Sequence, residues 1–181
     1  MSDPSDPNAD LPPPAPIAVD KNGDFVRQGS LMVERQSYER VVDGLTIMAE
    51  ATAHMAQRAV VMAGTIPKLR EPALRRREKL LGIAVRLDVM RMRAVQKAGI
   101  TDKLKQRETN LTPNPPMSWK DSRQRFREGA RQAEGGLSQL GTCHRGELLW
   151  VQMAQGVKVL ADAVTKPDVA TSARYAGWFQ L

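Results

Sequence analysis

Between residues 38 and 63, apolar or small side chains recur at 38, 41, 45, 48, 52, 55, 59 and 62, alternating steps of three and four. That spacing predicts an amphipathic helix carrying a heptad seam. One seam position reads Tyr38, Leu45, Thr52, Ala59 and the other Val41, Met48, Met55, Met62, flanked by a column of Val42, Ala49, Ala56 and Ala63. Small flanking residues let a partner helix come close, and methionine adapts to irregular gaps. Ser37 is placed to cap the start and Gly64 the end. The pattern leaves open whether the mating helix lies in the same chain. Glu34, Glu39, Asp43 and Glu50, spaced along the same region, are expected on a solvated face.

Pro67 marks a turn within 65–71, and Pro72 suits the first turn of a second helix ending near Ala98, with Gly99 behind it. At about 100° per residue, Leu80, Ile83, Ala84, Leu87, Met90, Ala94 and Ala98 share a broad apolar face. Arg75, Lys79, Arg86, Arg93 and Lys97 line up within about 40° beside it. Leu74, Leu81, Val85 and Met92 form a second apolar strip, which predicts a helix sandwiched between neighbours with one cationic edge left open. Arg91 falls inside the main apolar face, where Asp88 three residues earlier can pair with it.

Residues 101–108 allow a turn or two of helix capped by Thr101, and TNLTPNPP is a proline-stiffened loop. Ser118 and Asp121 resemble a capping box, and Trp119, Phe126, Ala130 and Ala133 give the next helix its apolar side. Lys120, Arg123, Arg125, Arg127 and Arg131 make a further basic surface on that helix. Gly135, Gly136, Gly141 and Gly146 predict a bend or break between 135 and 146. Leu149, Met153, Gly156, Leu160 and Ala163 then resume the helical spacing until Lys166 and Pro167 stop it. Strand pattern is weak everywhere except residues 24–33.

The sum is a mainly α protein: an antiparallel bundle of three to four helices over residues 31–167, with an arm at 1–30 and a tail at 168–181. Composition agrees, since aromatic residues are only 4% of the 181. Six of the twelve prolines fall in residues 1–16, and PPPAP favours extended backbone. No targeting sequence is expected from the acidic opening MSDPSDPNADLPPP, no apolar run suffices for a membrane span, and the lone Cys143 suits a reducing compartment. A cytoplasmic or virion location is the expectation.

Charge changes the picture more than composition does. Residues 1–24 hold five Asp against Lys21, whereas residues 68–107 hold thirteen Lys or Arg against four acids. Four acids cannot neutralise thirteen bases locally, so the field of this segment calls for an anionic partner. Candidate chemistry of other kinds is sparse. Cys143 and His144 are adjacent and their side chains should diverge; His54 sits beside the seam; no glycine pattern cradles phosphate. No enzyme activity, cofactor or metal site is predicted.

These patterns predict a non-enzymatic structural or assembly protein of a larger particle, such as a phage connector, internal head or capsid-associated protein. Its partners would be other subunits, including copies of itself. The alternative is a nucleic-acid-binding protein acting through Arg75, Lys79, Arg86, Arg93 and Lys97, although no aromatic residue on that helix could stack on exposed bases. Tyr175, Trp178 and Phe179 form a second candidate element, an aromatic tail that docks on the chain's own bundle or on a neighbour.

Overall fold

A computed structural model describes residues 17–19, 25–99 and 107–165, with side-chain environments from residue 33 onward. Four long helices dominate it: α1 (Gln28–Thr65), α2 (Arg70–Ala98), α3 (Trp119–Cys143) and α4 (Leu148–Thr165). A short antiparallel ribbon precedes them, pairing β1 (Ile17–Val19) with β2 (Phe25–Arg27) in the register Ile17 opposite Arg27. The strand signal at 24–33 therefore yields three residues of strand before α1 begins at Gln28, inside the segment read as an arm. The arm before residue 17, residues 100–106 with the turn expected at Thr101, and the tail with Tyr175, Trp178 and Phe179 lie outside the described residues.

Helix α1 is the hub. Its predicted seam is buried from Tyr38 through Ala59, and so are Ala51 and Ala53 beyond it, because α2 and α3 pack on α1 from two sides. The mate left open by the sequence is thus found twice within the same chain. The helix starts ten residues before Tyr38, so Ser37 does not cap it. Ser37 is a buried interior residue whose hydroxyl donates to Val33 O at 2.8 Å. At the other end Gly64 stays helical, and Thr65 closes the last turn by donating to Val61 O at 3.0 Å.

A 3-10 turn at Pro67–Leu69 reverses the chain into α2, which ends on Gly99 in the left-handed conformation at φ 68° that glycine adopts without penalty. The Leu80, Ile83, Ala84, Leu87 and Ala94 face is buried as the spacing predicts. Arg91 is buried with it, its Nε donating to Asp88 Oδ1 at 2.7 Å. The connection to α3 is tied down by polar contacts to α1 and α2: Arg107 and the Asn110 N–H both donate to Glu50, and Thr109 donates to Asp88. Ser118 caps α3 by accepting from the Asp121 N–H at 3.1 Å and donating its hydroxyl to Asp121 Oδ2 at 2.7 Å.

Contacts along the bundle give its directions. His54 meets Met117 and Glu34 meets His144, so α3 runs antiparallel to α1; Gly156 meets Met90 and Val164 meets Arg76, so α4 runs antiparallel to α2. The result is an antiparallel hairpin α1–α2 and a second hairpin α3–α4, with the 99–118 connection carrying the chain between them.

The glycines of α3 do not break it. The break expected between 135 and 146 falls at the far end of that window: the helix runs through Gly135, Gly136 and Gly141 to Cys143, and the turn comes at 144–147, with Gly146 at φ 99°. Gly129 and Gly136 are instead the points where α3 touches α1 backbone to backbone. A Cβ on Gly136 would stand 2.7 Å from Ser37 O, and one on Gly129 would stand 2.8 Å from Gly44 O. Gly44 is equally confined, since its Cβ would lie 2.5 Å from Ala133 N. Helix α4 is also turned slightly from expectation: Trp150, Met153, Val157, Leu160 and Val164 are buried, while Leu149 and Ala163 are only partly so.

Two adjacent glycines should therefore respond oppositely to alanine. Gly136→Ala forces α1 and α3 apart and should cost about 1–3 kcal/mol. Gly135→Ala meets nothing within 4 Å and should stabilise by about 0.5–1 kcal/mol through helix propensity. Urea unfolding followed by circular dichroism reads both.

Candidate docking face on the second helix

The five cations singled out by the sequence, Arg75, Lys79, Arg86, Arg93 and Lys97, are all exposed on one edge of α2. They are not equally available. Arg75 pairs with Glu71 one turn before it, Lys97 Nζ lies 3.3 Å from Glu147 Oε1 of the α3–α4 turn, and Lys79 also has an interaction within the molecule. Arg86 and Arg93, in the middle of the helix, have no ion-pair partner among the described residues.

About 120° further round the helix, with Val89 between, lies the second apolar strip, and here the structure overturns the sequence reading. Leu74, Val85 and Met92 were expected under a second neighbouring helix, yet they are 37%, 45% and 43% exposed, and Val89 beside them is 43% exposed. The reason is geometric: α1 and α4 both pack on the side of α2 that carries Leu80, Leu87 and Met90, and nothing among the described residues covers the other. Of that strip only Leu81 is half-buried. Val89 is three residues from Arg86 and four from Arg93, so exposed valine and unpaired guanidinium occupy neighbouring lines on the helix surface. Periodicity identified both stripes; it could not say that one would be left bare.

The chemistry of such a face is that of a mixed contact. Apolar side chains favour a partner that excludes water, and two exposed guanidiniums favour carboxylate or phosphate at its margin. A cleft between α3 and the end of α4, lined by Arg123, Phe126, Arg127, Val164 and Thr165, has room for a few water molecules. Of the other basic residues of α3, Lys120, Arg127 and Arg131 are exposed, while Arg123 and Arg125 are half-buried.

Several other titratable residues link elements of the bundle. His144 Nε2 lies 2.8 Å from Glu34 Oε1, and Tyr38 beside them is pushed up to about 12, first by burial and then by the Glu34 carboxylate. No orienting group for His144 is visible in the sequence, because Glu34 is 110 residues away. Cys143 is an exposed free thiol with no hydrogen bond to that histidine. Glu34, Glu39 and Glu50 are thus partners of His144, Arg35 and Arg107 rather than members of a purely solvated face. No group of three or more potential metal ligands occurs among the described residues, and no described helix is long and apolar enough to cross a membrane.

Comparison with known proteins adds no relative. No family model, curated protein or solved structure matches the chain. The reading of the face therefore rests on its own residues.

His54 supplies a pH test of the scaffold behind it. Its Nδ1 accepts the Met117 N–H at 3.0 Å, which requires an unprotonated Nδ1. Burial lowers its pKa below the ordinary 6.5, nearby Glu50 pulls upward, and Arg125 pushes down again. The unfolded chain thus binds the proton more readily, so the stabilisation is present above about pH 6.5 and is lost as pH falls toward the lowered folded value. His54→Gln, whose amide oxygen can accept the same N–H, should flatten that part of the stability–pH curve. His54→Leu should cost about 1–3 kcal/mol at neutral pH by stranding the Met117 N–H. Urea midpoints measured between pH 5 and 8 check both.

Proposed function

We propose that this protein is a non-enzymatic assembly subunit that docks an acidic, partly apolar segment of a neighbouring subunit against the outer face of α2. The coincidence of Val85, Val89 and Met92 with Arg86 and Arg93 carries the reading. A protein segment bearing both carboxylates and apolar side chains matches both the aliphatic strip and the two guanidiniums of that face. A phosphate backbone would match only the cations and would leave the exposed aliphatic strip unused.

Charge also bears on the mode of contact. In a two-fold contact between antiparallel copies of α2, each flank meets the same flank of its mate, setting cations against cations. A head-to-tail contact avoids this, and residues 1–24, with five Asp against one Lys, are an acidic segment that every copy carries. A chain of such contacts suits a particle component, and a phage head or connector is one such particle.

Light scattering behind size-exclusion at low salt tests the proposal. The full chain should exceed the monomer mass as concentration rises, and should return to monomer on removal of residues 1–24, in Arg86→Glu/Arg93→Glu, or in Val85→Asp/Met92→Asp. A monomer indifferent to concentration and to the arm contradicts it. Binding of duplex DNA that the charge reversal abolishes and Val85→Asp/Met92→Asp leaves intact would favour the nucleic-acid alternative.

A further inference from the structure

A different surface, on α4, leads to a second conclusion. Leu148, Val151 and Val159 are 70%, 51% and 66% exposed, although the opposite side of the same helix buries Trp150, Met153, Val157 and Leu160. At about 100° per residue the three exposed residues fall within about 80° of one another, with Gln155 among them and Gln152 about 20° beyond. This strip is more exposed than that on α2 and carries no cationic edge: Lys158 and Asp162 lie along it with opposite signs. Its partner is accordingly apolar rather than acidic.

We infer that the strip is the docking site of the chain's own last segment, residues 166–181, which folds back along α4 and seats Tyr175, Trp178 and Phe179 against Leu148, Val151 and Val159. Three observations carry this. The segment follows directly on α4, so its encounter with this helix is intramolecular and the loop to be closed is short. Its length fits, because Leu148 lies about 26 Å back from Thr165 along the helix, and the ten residues to Tyr175 can span about 33 Å extended. Its composition fits as well: every aromatic side chain described, Tyr38, Trp119, Phe126 and Trp150, is buried. The last seven residues bring three more, with no charged side chain among them, to a helix whose outer face is bare among the described residues and uncharged at its centre.

Fluorine NMR on 5-fluorotryptophan protein tests this directly. In a Cys143→Ser background, a nitroxide is attached at Lys158→Cys on the flank of the strip, and the Trp178 resonance is assigned by its loss in Trp178→Phe. Folding back predicts that the Trp178 signal loses most of its intensity when label and fluorine are in the same molecule, and recovers in Val151→Lys/Val159→Lys. It also predicts full intensity in an equal mixture of labelled non-fluorinated and fluorinated unlabelled chains. An undiminished signal in the doubly labelled molecule overturns the inference, and so does broadening in the mixture, which would place the tail on another copy. Neither result depends on α2, so the test stands apart from the assembly proposal.

Discussion

The close contact between α1 and α3 is the constraint from which the rest follows. Gly44, Gly129 and Gly136 let two backbones approach until an added Cβ would overlap carbonyl oxygen, and this proximity is what buries α1 on a second side. With α2 on one flank of α1 and α3 on the other, the hub accounts for most of the apolar surface of both. Helix α4 then needs only one face to close the remaining side between α2 and α3. Two outward faces, on α2 and on α4, are the remainder of this arrangement: apolar strips that no element among the described residues covers.

Much of this was legible in the pattern of side chains, and the limits of legibility have physical causes. The α1 seam, the α2 core face, the αL glycine at 99, the Arg91–Asp88 pair and the Ser118 cap depend on residues within a few positions of one another, so spacing suffices to find them. The glycines of α3 were misread because the same residue type serves two purposes. A glycine as helix breaker and a glycine as contact point look alike until the opposing backbone is known, and Gly44 lies 85 residues before Gly129. The partners of His144 and Glu50 were hidden for the same reason. The outer strip of α2 had the periodicity of a buried face, and only the placement of α4 on the opposite side showed it to be open.

The candidate site was therefore half visible. The five cations were identifiable from the sequence, but the structure divides them: Arg75 and Lys97 are matched by Glu71 and Glu147, whereas Arg86 and Arg93 are not matched among the described residues. This division moves the centre of the proposed contact to mid-helix, next to Val85, Val89 and Met92, and changes its character from a purely electrostatic edge to an amphipathic one. The same logic separates the two faces. In the contacts proposed above, arginines beside valines suit an acidic partner, and valines beside glutamines suit an aromatic one.

The central claim, that the outer face of α2 is covered when the protein is in its working assembly, is tested most directly by hydroxyl-radical footprinting of side chains in the native cells and in the isolated monomer. The account predicts that Met92, with Val85 and Val89, is oxidised readily in the monomer and protected several-fold in the cell, while the exposed Val61 reacts alike in both. Equal oxidation of Met92 in the two states would contradict it.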